Sequence, residues 1–288
     1  MERPQPVEVY GILLHRVTAE RWGRISKFKA RPDDLLICSY PKSGTTWVQE
    51  ITEMIQYGGD TEKCGQAPIY KRMPFLEMPH MIVSSVEEAD ALPSPRRLKT
   101  HLSVQLVPAS FWEQKCKIIY IARNVKDTAI SYFHFHHMNK TLPEPGTWDQ
   151  FLENFLAGKV VWGSWFDHVR SWWEAKECHP ILYLFYEDMK ENPACEIQKI
   201  ANFLGLELPE SILNRIIQHT TFDNMKSNPM TNYTTLPSSV MDHTVSAFMR
   251  KGIVGDWKEY FTVAQSEKLD DISAYKLGGT GLTFRTHL

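Results

Sequence analysis

ICSYPKSGTTWVQE, from Ile37 to Glu50, decides the architecture. It passes from a short apolar run, through a turn holding a lysine, a glycine and two threonines, into apolar residues at helical spacing. A strand, a loop and a helix in that order can aim backbone N–H groups at one anion. Gly44 lets the backbone turn, Thr45 and Thr46 open a helix whose positive end faces the same point, and Lys42 adds a full charge. The parts suit a phosphate, but their order is unusual. In the nucleoside-triphosphate loop G-x-x-x-x-G-K-[ST], the lysine follows the glycine and the next hydroxyl holds magnesium. Here the first glycine is missing and Lys42 and Ser43 stand ahead of Gly44, so a metal-free reaction is expected.

Three further apolar runs join this one as buried parallel strands. The four are Asp34–Tyr40 (DLLICSY), Arg97–His101 (RLKTH), Lys117–Ala122 (KIIYIA) and Ile181–Tyr186 (ILYLFY). Between them, Trp47, Ile51, Met54 and Ile55 recur at helical spacing until Gly58 and Gly59 stop the run. Asn192 and Pro193 make a good helix start for a segment reaching about Leu204. Asp127–Met138 and Trp162–Ala175 read as two more helices. Strands alternating with helices predict an α/β fold: one domain over residues 1–288, with a central parallel sheet flanked by helices and ligands at the strands' carboxyl ends. The irregular stretches Pro68–Pro95 and Asn228–Arg250 are long enough to act as lids or site walls.

Composition excludes several function classes. A net charge of −2 gives no global attraction to nucleic acid or anionic membrane, so any anion site is built locally. No apolar run approaches the ~18 residues of a membrane span, and Met1–Pro4 opens no signal peptide. The five cysteines, Cys38, Cys64, Cys116, Cys178 and Cys195, contain no C-x-x-C pair, which suggests neither a zinc ribbon nor a disulfide framework. The glycosylation patterns at Asn139 and Asn232 are then incidental, and a reducing cytosol is the expected compartment.

The string YPKSGTTW (Tyr40–Trp47) resembles the 5′-phosphosulfate loop of the cytosolic sulfotransferases. The likeness continues through RRLKTH (Arg96–His101), ARNVKD (Ala122–Asp127), LFYED (Leu184–Asp188) and FMRKGIVGDW (Phe248–Trp257), to about Phe284 and Arg285. The best match is family 1, the phenol-type branch. Such enzymes move a sulfonate group from 3′-phosphoadenosine 5′-phosphosulfate (PAPS) to a hydroxyl or amine, leaving adenosine 3′,5′-bisphosphate (PAP). The resemblance implies that Lys42, Ser43, Gly44, Thr45 and Thr46 hold the phosphosulfate. It gives the 3′-phosphate to Arg123, Ser131 and the late-loop residues Arg250, Lys251 and Gly252, and counts Phe248 and Met249 among the residues around the cofactor. Arginine grips phosphate bidentately, and glycine permits close backbone approach. Adenine needs a π-face, for which Trp47 and Phe222 are candidates, with Tyr186, Thr220 and Met225 beside them by the same resemblance.

Lys99 and His101 are two apart on a strand and share one face, at the end where a parallel sheet meets its ligand. The resemblance makes His101 the general base, with Lys42, Lys99 and Ser131 completing the catalytic set. A phenol near pKa ~10 is an easier proton source than an alkyl alcohol, which suits a neutral imidazole. Phe75, Phe135, Tyr233 and Met241, with Lys99 and His101, are the implied acceptor pocket. At Thr18 several relatives carry a pocket phenylalanine instead. HFHH (His134–His137) offers two histidines three apart but no further ligand cluster, so no metal is expected. Lys258–Glu267 fits the family's dimerisation pattern K-x-x-x-T-V-x-x-x-E, which implies a homodimer. Two other readings remain open at this level: a magnesium-dependent kinase using the same loop on ATP, and a binding protein with a degenerate site.

Overall fold

The computed structural model describes residues 3–78 and 85–288. Two short strands, β1 (Val7–Val9) and β2 (Ile12–Leu14), form an antiparallel hairpin that the sequence reading missed. Its three-residue strands are too short to show an alternation of their own. The four anticipated strands follow as β3 (Leu35–Ser39), β4 (Arg97–Thr100), β5 (Lys117–Ala122) and β6 (Ile181–Phe185). They pair in parallel in the order β4-β3-β5-β6.

Alternation along the strands divides the core in two. Leu36 and Cys38 of β3 and Ile118 and Tyr120 of β5 face one layer, which also holds Tyr132, Trp165 and Trp172. Leu35, Ile37, Ile119 and Ile121 face the other, packed against Val48, Ile51, Ile197 and Ile200. All five residues of β3 are buried, as expected of an interior strand covered on both faces.

Local chemistry sets the helix ends. The Thr45–Gln56 helix begins after Gly44, whose φ of 103° few other residues adopt, and it ends at Gly58 and Gly59. Asn124 caps the Val125–Met138 helix by accepting from Asp127 N (2.9 Å), and Asn192 caps Pro193–Leu204 through Cys195 N (3.2 Å). Several boundaries differ from the sequence reading: the helix expected from Asp127 begins at Val125, and the strands expected to reach His101 and Tyr186 end at Thr100 and Phe185. The helix expected from Trp162 starts at Trp165, because Trp162 and Gly163 take positive φ and the Ser164 hydroxyl accepts from Asp167 N (3.2 Å).

The stretch Pro68–Pro95 carries two short helices, Ile69–Arg72 and Val86–Ala91, while residues 79–84 lie outside the described set. Asn228–Arg250 is irregular and is pinned by Lys140 N to Val240 O (2.9 Å) and Asp242 N to Met138 O (2.8 Å). Those bonds seat it on the carboxyl end of the Val125–Met138 helix.

Candidate active site

The carboxyl ends of all four parallel strands meet at one cavity of about 350 Å³. β3 delivers the Lys42 loop, β4 His101, β5 Arg123 and β6 Tyr186. Every site residue expected from sequence lines it except Ser43. Ser43 is fully buried, and its hydroxyl has no hydrogen-bond partner among the described residues.

At the cavity's transfer end sit His101, Lys42 and Lys99. The His101 Nδ1 lies 2.8 Å from the Ser39 carbonyl oxygen, which can only accept, so Nδ1 carries the proton and Nε2 keeps its lone pair. Phe75 and Trp162 stand edge-on to the ring at 4.9 and 5.2 Å. Burial, reinforced by the Lys99 charge, pushes the imidazole well below its ordinary pKa, so the ring is neutral at neutral pH. Lys42 has φ 67°, donates to Phe248 O (3.0 Å) and lies 3.8 Å over the Phe248 ring. Burial, then the charges of Lys99, Arg123 and Arg250, hold its ammonium well below the usual lysine range. Lys99 lies 4.4 Å over the Phe75 ring. Neither lysine forms an ion pair among the described residues. Cations that crowd one another in this way are the arrangement an anion relieves.

The other end of the cavity is built from Arg123, Arg250, Lys251 and an aromatic group. Arg123 donates to Lys42 O (3.3 Å) and Ile253 O (2.9 Å), and its guanidinium stacks 4.4 Å over Tyr186. Arg250 and Lys251 are both paired with Asp256. Trp47 meets Tyr186 at 5.7 Å. Gly252, at φ 65°, leaves no room for a side chain: a Cβ there would lie 2.1 Å from Phe222 Cδ2. Trp47 Nε1, Arg123 Nε and Arg250 Nε are buried without partners among the described residues, so this end has unspent donors for a polyanion. Thr220 donates to Ile216 O (2.8 Å), and Met225 packs nearby in the core.

One wall of the cavity is apolar. Tyr233 and Phe248 meet at 4.3 Å, Phe135 and Phe248 at 5.9 Å, and Met241 completes the wall. Ser131 lines the cavity from the Val125–Met138 helix. The sequence reading missed Trp162, Asn139 and Lys190, which also line it. It missed Glu77 as well, which lies behind the wall with its pKa pushed up to about 7, mainly by burial. A carboxylate inside the apolar run PFLEMP was the available signal for Glu77. Thr18 is buried away from the cavity and donates to Glu77 O (2.5 Å).

The HFHH histidines turn to separate partners. His134 bonds to the Tyr260 hydroxyl (3.1 Å), His136 to Pro143 O (3.0 Å), and His137 stands edge-on to Phe133 (4.7 Å).

A parallel α/β sheet whose carboxyl end gathers a lysine loop, an arginine-rich end with unpartnered donors and a buried imidazole is the frame of a group-transfer enzyme acting on an anionic donor. A sulfotransferase domain matches residues 32–281. The chain is 55% identical to human sulfotransferase 1C2 over 278 residues, covering 96% of this chain and 94% of that one. It is 56% identical to mouse sulfotransferase 1 family member D1 over 288 residues, covering 99% and 97%. Among solved structures it is similar to mouse sulfotransferase SULT7A1 complexed with PAP, at TM-score 0.78, 36% identity and coverage of 95% and 94%. Retinol dehydratase in complex with androsterone and inactive cofactor PAP aligns at TM-score 0.85 and 25% identity, covering 97% and 90%. The chain belongs to the sulfotransferase family, in its family 1 branch: it is an enzyme that takes its sulfonate group from PAPS.

Proposed function

We propose that this enzyme sulfonates the hydroxyl of small, flat aromatic acceptors, with His101 as general base. Simple phenols are the first candidates, followed by catechols, thyroid hormones and steroids. The observation that carries this reading is the His101 tautomer: Nδ1–H is committed to Ser39 O, and Nε2 is left as a lone pair at the cavity between two lysines. Aromatic walls from Phe75, Phe135, Tyr233 and Met241 suit a planar ring.

Each residue has one task in the step. His101 Nε2 takes the acceptor's proton, and the freed oxygen attacks sulfur in line while the bond from sulfur to the bridging oxygen breaks. Lys42 neutralises the charge gathering on the departing phosphate, and Lys99 faces the sulfonate oxygens. PAPS supplies an activated sulfonate, and the chain supplies its cradle. The Gly44 turn with Ser43, Thr45 and Thr46 holds the 5′ end. Arg123, Ser131, Arg250, Lys251 and Gly252 hold the 3′-phosphate, and Trp47, Tyr186, Thr220, Phe222 and Met225 hold adenine.

The exposed Lys258–Glu267 segment supports a homodimer, and five free cysteines fit a reducing cytosol as the working compartment. An acceptor panel assayed with PAPS tests the reading: turnover of phenols is expected, and turnover confined to aliphatic alcohols would overturn it.

A further inference from the structure

The sheet stops one residue too early to hold the base. β4 is an edge strand, its last pair with β3 is Cys38 with Thr100, and His101 follows without a ladder partner. A buried main-chain polar group left unbonded is costly, since it has given up its hydrogen bonds to water. At His101 side chains satisfy both main-chain polar groups of the residue, its N–H and its C=O. Glu77 Oε1 accepts from His101 N (2.5 Å), and His168 Nε2 lies 3.0 Å from His101 O, which must accept, so Nε2 bears the proton.

Each of these two residues is itself held. Glu77 Oε2 accepts from the Thr100 hydroxyl (2.8 Å), and Oε1 also accepts from the Trp162 indole N–H (3.3 Å). His168 Nδ1, left as an acceptor, takes a hydrogen bond from the Tyr120 hydroxyl (2.8 Å). Glu77, His168 and Tyr120 are essentially inaccessible to solvent, and none of them lines the cavity. The chain Tyr120–His168–His101 therefore runs from the middle of β5, through the Trp165–Ala175 helix, to the reacting histidine.

We propose that Glu77 and His168 are positioning residues that clamp the main chain of His101 and so aim its Nε2 at the acceptor hydroxyl. This clamp rests on the reading of His101 as base. The next amide is tied to the same group, since Leu102 N donates to the Thr100 hydroxyl (3.0 Å) that Glu77 holds, whereas the Ser39 contact fixes the ring.

The test compares His168→Leu with His168→Gln, whose amide N–H reaches the same carbonyl, and uses His101→Ala as reference. The leucine variant is expected to lower kcat roughly ten- to a hundredfold, as a misplacement of about an ångström does. Its acceptor KM and PAP affinity are expected to hold, and the glutamine variant to regain most of the rate. Normal kcat in the leucine variant, or equal loss in both, would overturn the clamp. Should the leucine variant fail to fold, Tyr120→Phe serves: it removes only the hydroxyl that donates to His168 Nδ1 and so holds that ring against His101 O. A fall in kcat with unchanged PAP affinity supports the proposal, and an unchanged kcat refutes it. Normal turnover by His101→Ala would instead sink the base reading itself, so the two failures are separable.

Discussion

His101 shows how much a single side chain owes to its surroundings. Its depressed pKa keeps the ring unprotonated below the pH at which an ordinary histidine takes up a proton. The base form is lost only as pH falls through that lowered value. The acid limb of a kcat–pH profile with a phenol is therefore expected well below pH ~6.5, and a limb at or above that value would contradict the assignment. Replacing His101 by alanine is expected to cost roughly 10²–10⁴-fold in kcat, with PAP affinity by calorimetry unchanged. At this scale the sequence was informative wherever charge and spacing speak together, as for Lys42, Lys99, His101 and Arg123. Glu77 and His168 escaped notice because their meaning lies in a hydrogen bond to another residue's main chain, which spacing does not encode.

Elements were legible where a pattern is strong. β3, β5 and the Thr45–Gln56 helix came out nearly to the residue, since unbroken apolar runs, helical spacing and a glycine stop all agree there. The β1–β2 hairpin and the Trp162–Ser164 turn depend on tertiary contacts instead: Trp162 N, for instance, bonds to Leu13 O (2.7 Å). The late loop offers the sharpest test of element geometry. Gly252→Ala would force a side chain into the left-handed region and against Phe222. A stability loss of about 1–3 kcal/mol is expected from the strain alone. Since Phe222 has to move, PAP affinity should fall while the acceptor KM holds; unchanged PAP affinity would show that Phe222 does not face the nucleotide.

For the whole molecule, acid is expected to be destabilising. His15, His136 and His168 are held neutral by burial, each with its pKa down to about 4. The unfolded chain binds those protons first, so stability is full above pH ~6.5 and is lost as pH falls from there toward 4, by about 1.4 kcal/mol per unit for each histidine. Glu77, raised to about 7, has the opposite sign, because the folded state binds its proton first as pH drops below neutral. Thermal melts at pH 7 and 5 should show a clear fall in Tm, and Glu77→Gln should steepen it. Assembly belongs to this scale too. Val263, 76% exposed at the start of the Val263–Leu277 helix, sits inside the proposed dimer segment. Val263→Glu should turn a dimer into a monomer by light scattering at micromolar concentration, and a wild-type monomer there would remove that proposal. Pairing between chains is an expectation that rests on the motif alone.

The two ends of the cavity differ in their electrostatic debt. Arg250 and Lys251 already rest on Asp256, whereas Lys42 and Lys99 form no ion pair among the described residues. Small dissolved anions should therefore settle preferentially beside the reacting atoms. Adding inorganic sulfate to the assay should slow turnover more steeply than it loosens PAP, so the buffer itself becomes a competitor at one end of the cleft.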